Sequence, residues 1–375
     1  MTSYFDCAAT TPIDPEAYRA LLHYVEIEYG NAGSRTHEYG LAASRAVKSA
    51  REKVAALSNS KPEEVIFTSG ATEANNLAIL GIQAHGISTG KRHIVTTAIE
   101  HKAVLEPVSA LIKQGFEATF VAPQNDGRVT AEDVMRAVRP DTLIVSVMHA
   151  NNETGALQPI DEIAAQLRGH SAFLHVDAAQ TYGKSNKTLT NTDIDMISVS
   201  GHKIFAPKGI GALIIRRGQR RPPLTPLFFG GGQERGLRPG TLPVALIAAF
   251  GAACGSALRE AEERQKRCIE IRHRLLETIL KLGGEVNGHL THSLPSTLNV
   301  SFPGLDSEAV LVALKGLIAI SNGSACTSAS YAPSHVLVAM GLSEDRVESA
   351  LRFSWCHMTK EPSWDEVEFR INSLK

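Results

Sequence analysis

The sequence predicts an α/β fold with a mainly parallel sheet covered on both faces, and three observations predict it. Between about residue 60 and residue 216, short β-rich apolar runs alternate with helical stretches, the pattern of strands joined by crossover helices. Most polar motifs stand just after such a run, on the loops where sheets of this class bind ligands. The chain has 375 residues, too many for one small core and enough for a large domain plus a smaller one.

The runs, in order, are Glu64–Thr68, His93–Thr97, Ala118–Val121, Leu143–Val147, Ala172–Asp177, Met196–Ser200 and Gly211–Ile215. Seven strands are therefore expected in the large sheet. Pro243 opens a long helical stretch that runs towards Leu282 and stops at Gly283-Gly284. Pro near a first turn and Gly past the end are helix boundary signals. A helix of that length is expected to bridge from a large domain, residues 13–258, to a smaller α+β domain, residues 259–375 joined by 1–12.

Lys and Arg number 38 against 39 Asp and Glu, a net charge of −1. That balance gives no global electrostatic case for direct nucleic-acid or membrane binding. Lys208, Arg216, Arg217, Arg220 and Arg221 cluster locally and are read first as a solvated loop, second as a docking patch. No secretory leader pattern and no bilayer-length apolar run is expected. The five cysteines, Cys7, Cys254, Cys268, Cys326 and Cys356, are odd in number and widely spaced. This is neither a disulfide framework nor a zinc pattern, so no resident metal is expected and a reducing cytoplasmic setting fits.

The strongest chemical cue is Ser200-Gly201-His202-Lys203 at a strand end. A partly desolvated lysine on a Gly-bracketed loop can form a Schiff base with an aldehyde, although most lysines are simply solvated. Asp177 closes an apolar run, where a carboxylate could pair with the pyridine nitrogen of pyridoxal phosphate, and Gln180 could reach the ring hydroxyl. The plain alternative for Asp177 is a helix cap. In Thr68–Asn76 a strand gives way through a Gly turn to a helix, so Ser69, Thr72 and the backbone of Ala71 could cradle a phosphate. His101 could stack on a cofactor ring or cap a helix. Asn152 offers a donor and an acceptor. Residues 321–330 are small, polar and turn-prone, so a mobile, exposed loop is expected around Cys326. The other four cysteines are expected to be structural.

Ala8–Pro12, Thr68–Glu73, Glu100–Lys102, Asn151–Gly155, His175–Gln180, Ser200–Lys203, Gly240–Pro243, Gly323–Ser330 and Arg352–Ser354 together resemble the NifS/IscS-type cysteine desulfurases. These belong to the class V aminotransferase group of fold-type I pyridoxal-phosphate enzymes. The likeness runs in order along nearly the whole chain, and the Cys326 loop is similar to that of the long-loop subgroup. The resemblance implies that Lys203 holds the cofactor and shuttles protons. Asp177 would pair with the pyridine nitrogen, Gln180 with the ring hydroxyl, and His101 would stack over the ring. Thr72, Ser200 and His202 would hold the phosphate, with Thr241 reaching in from the partner subunit of a homodimer. Asn152 and Arg352 would bind the carboxylate of L-cysteine. Cys326 would take the sulfur as a persulfide, pass it to an acceptor protein and, at most transiently, ligate an iron–sulfur cluster.

Two departures from the family pattern bear on the acceptor. Phe229 and Gln233 flank the glycines where His is expected, and the chain ends soon after Trp364 without the longer tail of housekeeping enzymes. A dedicated acceptor, as in DNA phosphorothioation or tRNA thiolation, is therefore expected. The rival readings are a selenocysteine lyase, a class V transaminase, and a non-catalytic scaffold of a sulfur system.

Overall fold

The computed structural model describes residues 2–218, 220–322 and 333–375. Cys326 lies outside the described residues. Strand β1 (Ser3–Tyr4) opens the chain and pairs far away in sequence. Seven strands then form the main sheet: β2 (Val65–Thr68), β3 (His93–Thr97), β4 (Glu117–Val121), β5 (Thr142–Met148), β6 (Phe173–Asp177), β7 (Met196–Ser200) and β8 (Gly211–Ile215). Their order is β2-β8-β7-β6-β5-β3-β4. Only β8 runs against its neighbours, so the sheet is mainly parallel, as expected.

The strand sequences explain the layering. Val95, Val145, Val147, Leu174, Val176, Ile197, Val199, Ala212 and Ile214 face one buried cluster. Ile66, Ile94, Ile144, Phe173, Met196, Leu213 and Ile215 face the other. Successive side chains on a strand point to opposite faces, so near-continuous apolar runs mean that both faces are covered. Helices Glu38–Ala56 and Val244–Arg259 cover the first face, and helices Ala71–Gly81 and Lys102–Ile112 the second. The carboxyl ends of β2, β3, β5, β6 and β7 all open on one edge, and there the polar loops gather.

A second sheet holds β9 (Glu285–Asn287), β10 (Thr297–Ser301) and, after the short β11 (Ile318–Ala319) that pairs with β1, β12 (Ala350–Ser354). The order is β12-β10-β9, antiparallel throughout. Its core includes Phe5, Ile271, Leu275, Val300, Phe353 and Trp355.

The single long helix expected from Pro243 to Leu282 is instead two, Val244–Arg259 and Ala261–Lys281, bent by 76° at Glu260. No Pro or Gly marks the break. The first helix is Ala-rich and buried between the sheet and helices Pro15–Glu26 and Glu38–Ala56. The second is charge-rich and lays one apolar stripe on the second sheet. Each half follows its own packing partner, and Arg264 on the second half fixes the corner through a buried 2.7 Å ion pair with Asp14. Among the described residues no single helix is long and apolar enough to cross a membrane.

The basic stretch also departs from its first reading. Arg216 is buried and donates to the carbonyls of Ser58 (2.8 Å) and Leu189 (2.7 Å). Arg220 pairs with Asp195 at 3.0 Å. Two of its guanidinium groups thus tie loops together instead of facing solvent freely.

Candidate active site

A cavity of about 480 Å³ opens at the carboxyl edge of the main sheet. Its lining includes Ala71, Thr72, His101, Asn152, Asp177, Gln180, Ser200, His202, Lys203 and Arg352, residues far apart in sequence that the strand ends bring together.

Asp177, the last residue of β6, is 5% exposed. Its Oδ2 accepts from Asn75 Nδ2 at 2.7 Å and its Oδ1 from the Ala179 amide at 2.9 Å. The local bond is an aspartate turn, not the helix cap weighed from sequence, and Gln180 sits in the turn that follows it. Gln180 donates to the Ala8 carbonyl at 3.1 Å.

Lys203 ends the short turn Gly201–Lys203 that follows β7. Its Nζ donates to the Ala8 carbonyl and, at 2.6 Å, to that of Ala9. The N-terminal segment thus forms one wall of the cavity, anchored where the Ala8 amide donates to Ser354 Oγ at 2.8 Å. His202 Nδ1 lies 3.2 Å from Thr10 Oγ1. Burial, with the Lys203, Lys208 and Lys184 charges, pushes the His202 imidazole down to about 4, so it is neutral near pH 7.

His101 caps helix Lys102–Ile112, its Nδ1 accepting from the Ala103 amide at 3.0 Å. Capping and cavity lining are both true of it. An accepting Nδ1 assigns the ring proton to Nε2. Burial lowers its pKa, Asp177 opposes that, and Lys203 and His335 add to it. Behind it, Glu100 is fully buried, with Oε1 accepting from the Met148 amide and Thr97 Oγ1, each at 2.8 Å. Burial raises that carboxyl to about 8.

At the opposite end helix Ala71–Gly81 begins. The N–H groups of a helix's first turn have no partner inside the helix and point at whatever precedes it. Ser200 is buried beside the Gly70 turn, and Gly211 packs so closely that a Cβ there would stand 2.6 Å from Gly70 Cα. Only glycine at 211 lets β8 approach the Gly70 turn so closely.

Arg352, on β12, is 1% exposed. Its Nη1 donates to the Asn152 carbonyl at 3.0 Å, and its Nη2 pairs with Asp6 at 2.8 Å. Thr241 is exposed and is not among the cavity residues of its own chain.

Sequence reasoning missed Asn75, the Ala8 and Ala9 carbonyls and Asp6. Asn75 carried a signal, because it is an amide on the apolar face of a helix, where it must find a buried partner. The other contacts span more than a hundred positions and leave no local trace.

The cavity joins a buried carboxylate, a lysine, neutral imidazoles and a helix N-terminus. That set fits a planar cationic ring bearing a phosphate arm: the carboxylate matches a protonated ring nitrogen, and the helix start matches the phosphate.

Residues 3–367 match the family model described as aminotransferase class-V. Cysteine desulfurase IscS of Anaeromyxobacter dehalogenans (strain 2CP-C) is 46% identical, over 98% of this chain and 90% of its own. The solved structure of a NifS-like protein has a TM-score of 0.90 at 36% identity, covering 100% of this chain and 98% of the other. The crystal structure of DndA from Streptomyces lividans has a TM-score of 0.82 at 50% identity, covering 94% and 99%. With a family match along nearly its whole length and relatives at this identity, the chain belongs to the class-V aminotransferase family of pyridoxal-phosphate enzymes and, within it, to the cysteine desulfurases.

Proposed function

We propose that the protein converts L-cysteine to L-alanine and holds the released sulfur as a persulfide on Cys326. The observation that carries the reading is the meeting of Lys203, Asp177 and Arg352 at one cavity. Pyridoxal phosphate bound there supplies an electron sink for the substrate α-carbon. Asp177, oriented by Asn75, would face the ring nitrogen. Gln180 would face the ring hydroxyl and His101 the ring itself. Ala71, Thr72, Ser200 and His202 would hold the phosphate, with Thr241 contributed by a partner subunit.

Arg352 and Asn152 would orient the cysteine carboxylate, and Lys203 would carry the cofactor and move the α-proton. The Cys326 thiolate then forms an S–S bond to the substrate sulfur. The substrate Cβ–S bond breaks with its electron pair going to carbon, which takes up a proton as alanine leaves. Free cysteine and a thiol thus become alanine and a persulfide, and no outside oxidant is needed.

Two domains, 13–258 and 259–375 with 1–12, a homodimer and a cytoplasmic setting belong to the same proposal. So does an acceptor protein of a thio-modification system, such as DNA phosphorothioation or tRNA thiolation. The 50% identity to DndA, against 46% to the IscS relative, supports a branch with its own acceptor.

The test is a product assay with cofactor and L-cysteine. Alanine and a Cys326 persulfide are expected in equal amounts in one turnover. Cys326→Ser should keep the yellow cofactor absorbance and its spectral response to cysteine while forming neither product. A keto acid in place of alanine would point to a transaminase. Activity on selenocysteine alone would point to the lyase, and an uncoloured, inert protein to a scaffold.

A further inference from the structure

The described residues on either side of the segment that carries Cys326 are tied to one turn, Asn151–Gly155, Ser334 directly and Ser321 through Arg352. Ser321 precedes the segment and Ser334 follows it in sequence. The Ser321 side is held through Arg352: the two backbones exchange hydrogen bonds of 3.2 and 2.6 Å. Arg352 Nη2 also donates to Ser321 Oγ at 3.3 Å, and its Nη1 reaches the Asn152 carbonyl. The Ser334 side is held by Glu153, whose Oε2 accepts from Ser334 Oγ. Ser334 Oγ in turn accepts from the Leu337 amide at 3.2 Å and so caps helix His335–Ala339. His335 Nε2 adds a 3.0 Å bond to the Glu100 carbonyl.

The turn itself is fixed. Asn151 donates to the Ile99 carbonyl at 3.0 Å and accepts from the amides of Glu153 (2.8 Å) and Thr154 (3.0 Å). Glu153 is 4% exposed and Ser334 7%. A carboxylate so placed is costly unless paired, and a buried charged hydrogen bond is stiffer than a solvated one. Burial raises the Glu153 carboxyl, while Ser334, His335 and Arg352 pull it back.

We infer that Glu153 is a positioning residue for sulfur transfer, acting through Ser334 to set one end of the cysteine-bearing segment against the turn that presents Asn152 to the cavity. The inference rests on the desulfurase reading above. Glu153 touches neither cofactor nor substrate in this scheme. Its effect falls on how often the Cys326 thiol meets the substrate sulfur, a proximity term that a small displacement weakens steeply.

The experiment uses the full-length, cofactor-loaded protein and separates two readouts. One is cysteine affinity from the cofactor's spectral response. The other is the single-turnover rate of persulfide formation on Cys326, read by mass after alkylation. Glu153→Ala is expected to slow the persulfide step roughly tenfold, the scale of one lost charged hydrogen bond, with cysteine affinity changed less than about twofold. Ser334→Ala should do the same, and the double variant should be no slower than the slower single one. Glu153→Gln, which keeps an accepting oxygen, should recover most of the rate. Unchanged rates, additive single effects, or a loss shared equally by affinity and rate would overturn the inference. Ser334→Ala carries the test should Glu153→Ala fail to fold. If the unsubstituted protein forms no Cys326 persulfide, the desulfurase reading itself fails, a distinct result.

Discussion

Asn75 donates from Nδ2 to Asp177 Oδ2 at 2.7 Å, and both side chains are buried. Asn75 comes from the helix that starts at the proposed phosphate end, and Asp177 from the strand end at the proposed ring nitrogen. One hydrogen bond thus links the two ends of the cavity. Asn75→Ala leaves a buried carboxylate oxygen short of a donor. Cofactor affinity should fall by about 1–3 kcal/mol. Equilibrium dialysis of pyridoxal phosphate measures it, and an unchanged dissociation constant would reject the orienting role.

Glu100 supplies a pH dependence. Its folded pKa of about 8 lies above the ordinary 4.5. Between those values the folded state keeps a proton that the unfolded state has released, so stability falls as pH rises through the window. Its Oε2 has no hydrogen-bond partner among the described residues, which adds to the cost of charging it. Glu100→Gln holds the uncharged shape at every pH. Relative to the unsubstituted protein, the variant should gain up to about 1.4 kcal/mol of stability per pH unit across that range. Urea melts at several pH values would show it, and a gap that stays flat with pH would contradict it.

The parts legible in the sequence are those written locally. All seven strands of the main sheet follow from short β-rich runs; six are buried along their whole length because the sheet is covered on both sides there, while the edge strand β4 leaves Glu117 and Phe120 exposed. Asp177, Lys203 and His101 were legible because each ends or follows such a run. The bend at Glu260 was not, since no breaker residue stands there and the direction of each half is set by what it packs on. Arg216 looked like a surface charge because its partners, the Ser58 and Leu189 carbonyls, are backbone atoms that no side-chain pattern reveals. For the same reason the carbonyls facing Lys203 were invisible.

Arg352 combines two duties that a substitution can separate. Its Nη1 and Nη2 hold Asn152 and Asp6, while its Nε is buried without a hydrogen-bond partner among the described residues. Arg352 lines the cavity wall, and a planar guanidinium there suits a carboxylate ligand. Arg352→Lys keeps the charge but loses the planar fork. Cysteine affinity should drop at least about tenfold, the scale of a charged hydrogen bond. Spectral titration checks it, and an unaltered affinity would remove Arg352 from the substrate site.

The loop that carries Thr241 makes a case for a second subunit. Phe229 is 88% exposed, and Leu227 and Phe228 beside it are also exposed. Large apolar side chains clustered on a surface point to a partner that covers them. The loop is not a loose end. Gln233 accepts from the Gly240 amide at 2.9 Å, and Arg238 pairs with Glu73 at 2.9 Å. Glu73 also accepts from the Ser69 amide at 2.8 Å, at the helix start that lines the cavity. Covering the phenylalanines with a second copy would therefore fix Thr241 relative to both cavities of a symmetric pair, because an isologous contact gives each subunit what it receives. Phe229→Asp should sediment as a monomer and lose cofactor on dilution. Thr241→Ala should remain dimeric and bind the cofactor about 1 kcal/mol more weakly, the worth of one hydrogen bond. A dimeric Phe229→Asp protein would place the interface elsewhere. Full cofactor affinity in Thr241→Ala would show that this hydroxyl serves no neighbouring phosphate.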